Sequence, residues 1–499
     1  MNLPEALYAA AQVRELDRLA IEERHIPGAK LMQRAGEAVF DLLRTRWPRA
    51  RRIVVLCGSG NNGGDGYVVA RLAHEAGLAV DVLSLGAADK MQGDAGAARK
   101  KCKSAGVPIR NFQRNLLAGH DVIVDALLGI GLEREVDGEW RAAIDSINDS
   151  RLPVLAVDVP SGLHADTSRV MGAAVRANAT MTFIGLKAGL FTGAGREHSG
   201  EIFFSDLGVP PDIYAKVPAL TQRLTEISLH GLVPRRRRDM HKGDAGHVLV
   251  IGGDRGMPGA ARLAGEAAYR AGAGLVILAT HPEHAAHISA ARPELIVHGV
   301  ATPEELRPLL ARADVIAVGP GLGQGEWGEA LFGAALDTKL PMVVDADALN
   351  ILAADPLMHT DWILTPHPGE AARMLGTSKE EIQADRFAAV HELVASFGGV
   401  CVLKGAGTLV ASLYDGVVSV CDRGNPGMAT GGMGDVLTGV IAGLRAQGLI
   451  SPVAARLGVW AHAAAGDDAA QSGEIGILAS DLLPHIRTRL NRLVKHADH

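Results

Sequence analysis

The feature that most constrains the fold is a glycine-rich stretch, Asn425–Asp435, which runs directly into the apolar segment Val436–Leu444. Five of its first ten positions are glycine or proline, so the backbone has little bulk and can approach a ligand closely. The pattern predicts a loop that opens onto a helix, whose free N–H groups and positive dipole end suit a phosphate. The alternative interpretation is a flexible turn followed by a helix-capping aspartate.

One carboxylate, Asp435, stands at the end of this loop. A carboxylate beside a phosphate pocket repels the ligand unless it takes part in the chemistry. Its natural role is to remove a proton from a hydroxyl group that then attacks phosphorus. We therefore predict that Asp435 is a catalytic base.

The composition narrows the class of protein. A length of 499 residues indicates two or three domains, and 60 glycines that follow apolar runs are typical of α/β nucleotide-binding folds. A net charge of −6 and an aromatic content of 4% argue against a nucleic-acid partner. No apolar run is long enough to span a membrane and no signal pattern is present, so we expect a cytoplasmic protein with four reduced cysteines.

The first half of the chain shows an α/β pattern. A helical pattern over 10–46, interrupted at Pro27-Gly28, predicts two helices that precede the first strand, with an interface arm as one interpretation. The run Arg52–Cys57 predicts a buried parallel strand, followed by a glycine loop over 58–66 and a helix over Tyr67–Glu75. The glycines in this loop match a dinucleotide-binding spacing, which on its own is a weak signal.

Two aspartates stand at the carboxyl ends of predicted strands. Asp125 ends the strand 121–126, and Asp158 follows the strand 153–157. In an open α/β sheet this edge is where ligands bind, although either residue alone could be a helix cap. Together with Asn62 and Ser161 they form a plausible set of oxygen ligands for a hard cation, and neutral or singly charged oxygens suit a monovalent ion. Asp158 could instead transfer protons.

Three motifs in this half carry a resemblance to a known family. They are GSGNNGGDGYVVAR from residue 58, DALLGIGL from residue 125 and AVDVPSGLHADT from residue 156. Over about residues 10–214 the chain resembles the NAD(P)H-hydrate epimerase domain of the YjeF N-terminal type. This resemblance implies a Rossmann-like three-layer sandwich that interconverts the R and S forms of NADH or NADPH hydrated at C6 of the nicotinamide ring.

The resemblance also implies functional residues. Asn62, Asp125 and Ser161 match the ligands of a potassium ion, and Asp158 matches the acid/base. The matching substrate contacts are Asn61, Asn62, Gly63, Gly64, Asp65, Gly129, Ile130, Gly131, Leu132, Glu133, Arg134 and Asp158.

A change in composition marks the boundary between the two halves of the chain. Prolines 210, 211 and 218 interrupt regular structure, and we place a linker at 215–224. The basic run Arg235–Arg238 is interpreted as a solvated face, with attraction of nucleotide phosphates as the alternative. From residue 246 onward, strands and helices alternate, which predicts a second, mostly parallel sheet covered by helices on both faces.

Loops that follow these later strands carry the polar residues. Lys404 begins a loop that could hold phosphates, with a solvated lysine as the alternative, and two prolines flank His367. His281, His284 and His287 lie at helical spacing, but without a nearby carboxylate they do not predict a metal site.

Five motifs in order carry a second resemblance. They are HKGDAGHVLVIGG, GPGLG, LTPHPGE, VLKGAGT and NPGMATGGMGD. Over about residues 225–493 the chain resembles the ADP-dependent NAD(P)H-hydrate dehydratase domain, which belongs to the ribokinase-like superfamily. This resemblance implies that the hydrate contacts Ala260, Gly321, Gly323, His367 and Asp435. It also implies that ADP, expected with Mg²⁺, binds to Lys404, Gly405, Ala406, Gly407, Thr408 and Gly434.

The two resemblances predict a bifunctional repair enzyme that is both an isomerase and a lyase. The dehydratase accepts only the S hydrate, so an epimerase on the same chain would make both epimers repairable. Its partners would be hydrated NADH or NADPH and ADP, and we expect a homo-oligomer. Two alternatives remain at this point: a small-molecule kinase with a regulatory nucleotide-binding domain, and a nucleotide sensor without catalytic activity.

Overall fold

The structure is a computed structural model that describes residues 3–87 and 91–494. The chain divides into two compact units, residues 1–221 and 222–499. Each unit contains a sheet with helices, so the predicted class of two α/β domains is confirmed. The predicted limits of 10–214, 215–224 and 225–493 stay predictions.

The N-terminal unit is built on seven parallel strands. Its strands are β1 (Ala6–Tyr8), β2 (Arg52–Cys57), β3 (Ala79–Ser84), β4 (Ile109–Asn111), β5 (Val122–Ala126), β6 (Val154–Val157), β7 (Ala179–Phe183), β8 (Leu186–Lys187) and β9 (Glu201–Ser205). The sheet has the order β4-β3-β2-β5-β6-β7-β9, while β1 and β8 pair with each other in parallel and do not belong to this sheet. The order reverses between β2 and β5, so a crevice opens at their carboxyl ends.

Helices cover this sheet. They are α1 (Ala10–Glu22), α2 (Gly28–Arg46), α3 (Asn61–Glu75), α4 (Gly93–Ser104), α5 (Gly138–Asp149) and α6 (Gly195–His198). The prediction that α3 starts at Tyr67 is wrong, because the helix begins at Asn61 inside the glycine run. Gly63 makes this possible, since a Cβ at that position would lie 2.0 Å from the carbonyl oxygen of Gly58 at the end of β2.

Alternating side chains of the strands fill both faces of the sheet. In β2, Ile53 and Val55 pack into one core cluster, while Val54 and Leu56 pack into the other. All four are fully buried. This continuous apolar run, buried on both faces, is what a central parallel strand requires.

The C-terminal unit contains a mixed sheet. Its strands are β10 (Thr221–Arg223), β11 (His247–Ile251), β12 (Leu275–Thr280), β13 (Ile296–Gly299), β14 (Val315–Val318), β15 (Met342–Val344), β16 (Trp362–Leu364), β17 (Val400–Leu403), β18 (Thr408–Ser412) and β19 (Val418–Cys421). Strands β13-β12-β11-β14-β15-β16-β17 are parallel in that order, and the antiparallel strands β18 and β19 extend the sheet. The motifs did not predict this antiparallel extension.

The helices of this unit lie between and after the strands. They are α7 (Glu226–Leu229), α8 (Pro258–Ala271), α9 (Ala285–Ala291), α10 (Pro303–Leu310), α11 (Glu326–Leu336), α12 (Ala346–Ala354), α13 (Pro368–Leu375), α14 (Lys379–Ala384), α15 (Arg386–Phe397), α16 (Met433–Ala446), α17 (Ser451–Ala469) and α18 (Leu482–Arg492). The helix predicted after the glycine-rich loop is α16.

Helix α16 carries the predicted catalytic residue Asp435 in its first turn. It packs closely on α8, because a Cβ at Gly439 would lie 2.0 Å from the carbonyl oxygen of Ala264. The residues Val436–Leu444 are all buried. A helix held this tightly can fix the position of Asp435 in its first turn.

Other sequence expectations concern the surface and the cysteines. Within residues 3–87 and 91–494, none of the helices combines the length and the apolar character that a membrane span needs. The same residues contain no cluster of three His, Cys, Asp or Glu side chains suited to a metal ion. Arginines 235–238 are exposed, and the four cysteines are buried and free.

Candidate active sites

The three predicted potassium ligands lie together at the crevice of the N-terminal unit. Ser161 donates through its backbone N–H (2.8 Å) and its hydroxyl group (2.6 Å) to the carboxylate of Asp125, and both residues are fully buried. The Leu128 N–H donates to the Ser161 hydroxyl over 2.8 Å, and the Asn62 amide donates to the Leu128 carbonyl over 3.1 Å. Leu128, in the segment after β5, therefore connects Asn62 with Ser161, and Ser161 in turn bonds to Asp125.

This cluster has one unsatisfied oxygen atom that fits a cation. The Asn62 Oδ1 atom is buried and has no hydrogen-bond partner among the described residues. Burial raises the pKa of Asp125 to about 6, although hydrogen bonds from Ser161 and Leu127 act against the rise. A positive ion beside these oxygens would satisfy Asn62 and offset the buried carboxylate charge. The donor set, one carboxylate with neutral oxygens, is compatible with a monovalent ion.

A cavity of about 1020 Å³ opens beside this cluster. The predicted substrate contacts that line it are Asn61, Asn62, Asp65, Gly129, Ile130, Gly131, Leu132, Glu133, Arg134 and Asp158. The two other predicted contacts, Gly63 and Gly64, are buried in the packing of α3 and do not line the cavity wall. Their observed contribution is steric, since a Cβ at Gly64 would lie 2.6 Å from the Met32 side chain.

The predicted acid/base, Asp158, is paired with a buried lysine. Lys187 is 1% exposed and donates to Asp158 Oδ1 over 2.5 Å. Its other two N–H groups reach the Thr182 hydroxyl (3.1 Å) and the Phe183 carbonyl (2.9 Å). Asp158 itself has a left-handed φ of +66°, which is uncommon for a residue other than glycine and is often found at functional sites.

Asp17 and Lys187 are among the charged residues of this cavity that sequence reasoning missed. Asp17 lies on α1 and Lys187 on β8, and both line the cavity wall. The interpretation of the first two helices as an interface arm stays a prediction, and the structure shows that α1 and α2 contribute Val13 and Met32 to the same wall. A signal was present: Asp17 lies four residues after the buried Val13, so both face the same side of the helix.

The predicted site of the C-terminal unit is organised by a buried ion pair. Asp345, directly after β15, accepts from Lys404 Nζ over 2.7 Å and from the Thr438 hydroxyl over 2.8 Å. Burial raises the pKa of Asp345, but the attraction of Lys404 outweighs this effect and the net change is downward. Burial likewise opposes the charge of Lys404, yet Asp345 and Glu370 raise its pKa overall. Lys404, the first residue of the predicted nucleotide loop, thus directs its ammonium toward the carboxylates of Asp345 and Glu370.

The predicted catalytic base, Asp435, lies in the first turn of α16 close to this ion pair. Burial and the nearby negative charge of Asp345 raise the pKa of Asp435 to about 6, and Lys404 opposes the rise. Its carboxylate has no hydrogen-bond or ion-pair partner within the part of the chain that the structure describes. The neighbouring Gly434 lies close to the Lys404 ammonium, since a Cβ at Gly434 would lie 3.3 Å from Lys404 Nζ. Among the described residues, the carboxyl group of Asp435 therefore has no partner, and its pKa is about 6.

His367 is held by the helix that it caps. Its Nδ1 atom accepts from the backbone N–H groups of Gly369 (2.9 Å) and Glu370 (3.1 Å), which places the proton of a neutral ring on Nε2. Burial lowers the pKa of His367, although Glu370 acts in the opposite direction. Glu370 lies 3.7 Å from Lys404, so His367 belongs to the same network.

The remaining predicted contacts lie at neighbouring loops. Gly323 donates to the carboxylate of Asp347 over 2.9 Å. Gly321 approaches α8, since a Cβ there would lie 3.2 Å from the Cβ of Ala260. These contacts bring Ala260 and the two glycines together at the carboxyl edge of the sheet.

Arg386, which sequence reasoning missed, holds the start of the loop Lys404–Thr408 through hydrogen bonds to its backbone. Arg386 is fully buried and donates from Nη2 to the carbonyls of Leu403 (3.1 Å) and Lys404 (3.2 Å). Burial lowers the pKa of Arg386 to about 10. The Thr408 hydroxyl closes the loop by donating to the Gly405 carbonyl over 3.0 Å. Arg386 opens α15, and no motif residue lies next to it in the sequence.

Comparisons with known proteins agree with this division into two sites. Residues 28–189 match the family model described as YjeF-related protein N-terminus, and residues 248–488 match the model described as NAD(P)H-hydrate dehydratase. A bifunctional NAD(P)H-hydrate repair enzyme from Coxiella burnetii is 50% identical over 97% of this chain and 99% of its own length.

Two solved structures each cover about half of this chain. A hypothetical protein, SMU.573 from Streptococcus mutans, is 28% identical with a TM-score of 0.51, covering 55% of this chain and all of its own. An ADP/ATP-dependent NAD(P)H-hydrate dehydratase from Bacillus subtilis, co-crystallised with ATP and Mg²⁺, is 30% identical with a TM-score of 0.49, covering 54% of this chain and 98% of its own. The predicted repair function, an epimerase joined to a dehydratase, is confirmed by the full-length similarity. The chain belongs to the family of bifunctional NAD(P)H-hydrate repair enzymes.

Proposed function

We propose that the N-terminal unit interconverts the R and S hydrates of NADH and NADPH, and that the C-terminal unit dehydrates the S hydrate with ADP. The products are NAD(P)H, AMP and phosphate. The observation that carries this proposal is Asp435, an unpartnered carboxyl group at the start of α16 with its pKa raised to about 6. Such a group is largely ionised at neutral pH and basic enough to accept a proton.

In the dehydratase reaction, Asp435 removes the proton of the C6 hydroxyl group, and the oxygen attacks the terminal phosphorus of ADP. ADP enters as a substrate, together with Mg²⁺. The phosphoryl group makes the oxygen a good leaving group, so phosphate departs and loss of the C5 proton restores the ring double bond. The amide groups at the start of α16 and the Lys404 ammonium provide positive potential for the transferring charge.

In the epimerase reaction, Asp158 exchanges protons with the substrate inside the cavity that it lines. Asn62, Asp125 and Ser161 would hold a potassium ion, which when bound supplies a fixed positive charge at the edge of this cavity. The hydrogen bond from Lys187 fixes the carboxylate of Asp158 in position. A cytoplasmic location and a homo-oligomeric state stay predictions.

The experiment that tests this proposal supplies purified R or S hydrate of NADPH with ADP and follows the return of NADPH absorbance. The Asp435→Asn variant should fail with both hydrates. The Asp158→Asn variant should process the S hydrate normally and convert the R hydrate only at the spontaneous rate of epimerisation. Substantial activity of Asp435→Asn on the S hydrate would contradict the assignment of the base. Accumulation of a stable phosphorylated product in place of free phosphate would instead support a kinase.

A further inference from the structure

The epimerase cavity contains more carboxyl groups than its one established partner pair uses. Asp17, Asp65 and Asp158 all line it, together with the ammonium of Lys187. The three N–H groups of Lys187 are committed to Asp158, Thr182 and Phe183. The hydrogen bonds of Lys187 therefore serve Asp158 and do not reach the carboxyl groups of Asp17 and Asp65.

Asp17 and Asp65 have no partners of their own. Among residues 3–87 and 91–494, neither side chain makes a hydrogen bond or an ion pair. Two carboxylates without hydrogen-bond partners in a partly buried cavity repel each other and Asp158, which favours retention of a proton. The cavity thus holds a proton donor beside a proton acceptor.

The two candidates differ in how readily they release a proton. Burial raises the pKa of Asp17 to about 6, with Lys187 opposing and Asp158 adding to the rise. Burial, with added repulsion from Asp158 and Asp17, raises the pKa of Asp65 well above its usual range. Asp17 can therefore both give and take a proton near pH 6, whereas Asp65 releases its proton less readily.

Asp17 and Asp158 are held in the cavity by different elements. Asp17 lies on α1, whereas Asp158 follows β6, so the two carboxyl groups reach the cavity from different elements. One route to inversion at C6 is loss of the hydroxyl group from one face of the ring and return of oxygen on the other. A single carboxyl group cannot act on both faces of a bound ring.

We propose that Asp17 is the second catalytic acid/base of the epimerase, acting on the face of the nicotinamide ring opposite to Asp158. This inference rests on the proposed function of the N-terminal unit. In one direction, Asp17 gives its proton to the C6 hydroxyl group. The C6–O bond breaks, its electron pair leaves with the oxygen as water, and the lone pair of ring N1 forms a C6–N1 double bond.

A water molecule then adds to C6 on the opposite face. The electrons of the C6–N1 double bond return to N1, and the carboxylate of Asp158 takes the proton of the added water. One water has left and one has entered, and one proton has moved from Asp17 to Asp158. The opposite epimer is processed with the two roles exchanged.

The test is epimerisation by Asp17→Asn, Asp17→Glu and the wild type, measured from the R hydrate with ADP present. We expect Asp17→Asn to lower the enzyme-catalysed rate by roughly 100-fold or more, the usual contribution of a general acid, and Asp17→Glu to restore part of it. Dehydration of the S hydrate by the same samples should be unchanged, which shows that the chain is folded. Asp149→Asn, an exposed carboxyl group at the end of α5, is the matched control.

The pH profile separates catalysis from a structural effect. The wild-type rate should change near pH 6, where Asp17 titrates, and Asp17→Asn should lose this feature. Asp65, Asp158 and Lys187 face Asp17 in the cavity and are the same in both proteins. The other charged groups that line the cavity are Arg14, Arg18, Glu22, Asp94, Glu133 and Arg134.

The outcomes that overturn the inference differ from those that overturn the function. If the wild type does not accelerate epimerisation, the proposed function of this unit is wrong. If the wild type does so and Asp17→Asn matches it in rate and pH profile, only the role of Asp17 is wrong. In water labelled with oxygen-18, the product epimer should acquire the label in the enzymatic reaction, and retention of the original oxygen would contradict the proposed loss of water.

Discussion

The ammonium of Lys404 lies 2.7 Å from a carboxylate oxygen of Asp345, and the two side chains are 18% and 2% exposed. Asp345 also accepts a hydrogen bond from the hydroxyl group of Thr438, which lies on α16 one turn after Asp435. The pair therefore connects the loop after β17 with the helix that presents the predicted base. It also moderates the pKa of Asp435, which Asp345 raises and Lys404 lowers.

Replacement of Lys404 by methionine should affect both stability and the pH profile. The buried Asp345 would lose its partner, and breaking such a pair costs about 3–5 kcal/mol. The pKa of Asp435 should rise, because the group that lowers it is absent, so the acidic limb of the dehydratase rate should move to higher pH. Urea unfolding and the pH dependence of S-hydrate dehydration measure the two effects. An unchanged acidic limb would mean that Lys404 does not act on Asp435.

The pKa of Asp435 predicts opposite effects on activity and stability. Dehydration should fall as the pH drops through about 6, because the base becomes protonated. Since this pKa lies above the unfolded value of about 3.9, the protonated form favours the fold, and that contribution is lost as the pH rises through about 6.

The Asp435→Asn variant, which resembles the protonated form, should therefore be inactive as a dehydratase and more stable than the wild type at neutral pH. The gain should be on the order of 1–3 kcal/mol and should shrink below about pH 4. Thermal unfolding at several pH values measures it. Equal stability of the two proteins at neutral pH would show that Asp435 is not strained by burial.

Much of both sites was predictable because parallel strands place their carboxyl ends at one edge of a sheet. Asp125 and Asp345 end or follow short apolar runs that sequence patterns identify as strands. Contacts from distant helices were not predictable in this way. Asp17 reaches its cavity from α1, and Arg386 supports its loop from the start of α15. Neither residue lies in a motif, and long-range packing alone brings each to its site.

The boundaries of the elements show the same limit. The glycine run after β2 resembles an extended loop, yet α3 begins at Asn61 because Gly63 allows the helix to approach the strand end. The antiparallel strands β18 and β19 escaped prediction, since they lie between two motifs that had been interpreted only as loops. Steric fit between segments decides these features, and local composition does not report it.

Arg386 should control the affinity for ADP through the Lys404–Thr408 loop. In Arg386→Met, the carbonyls of Leu403 and Lys404 lose a buried charged donor, and such hydrogen bonds contribute about 1.5–3 kcal/mol. We expect the KM for ADP to rise by roughly 10- to 100-fold while the KM for the hydrate changes little. Arg312→Met, an exposed arginine of the same unit, is the control. Equal increases in both KM values would indicate a general loss of structure.

Potassium should stabilise the N-terminal unit through Asn62. The Oδ1 atom of this residue is buried without a partner among the described residues, so an ion that binds it should raise the melting temperature as its concentration increases. The Asn62→Ala variant should lose this dependence, whereas Asn111→Ala, at the exposed end of β4, should keep it. Calorimetry in potassium chloride, compared with a salt of a large organic cation at equal ionic strength, measures the effect. A shift of equal size in both salts would argue against a specific site.

The contact between α16 and α8 should be necessary for dehydration but not for epimerisation. In Gly439→Ala the new methyl group would meet the Ala264 carbonyl at 2.0 Å, so α16 must move, at a cost of about 1–3 kcal/mol. Asp435 lies one turn earlier on α16, and its displacement should lower the kcat for the S hydrate. Gly333→Ala is the matched control, because Gly333 lies exposed in α11 with open space around it, and alanine there should stabilise the helix by about 0.5–1 kcal/mol. If Gly439→Ala dehydrates the S hydrate at the wild-type rate, the packing of α16 on α8 is not what positions Asp435.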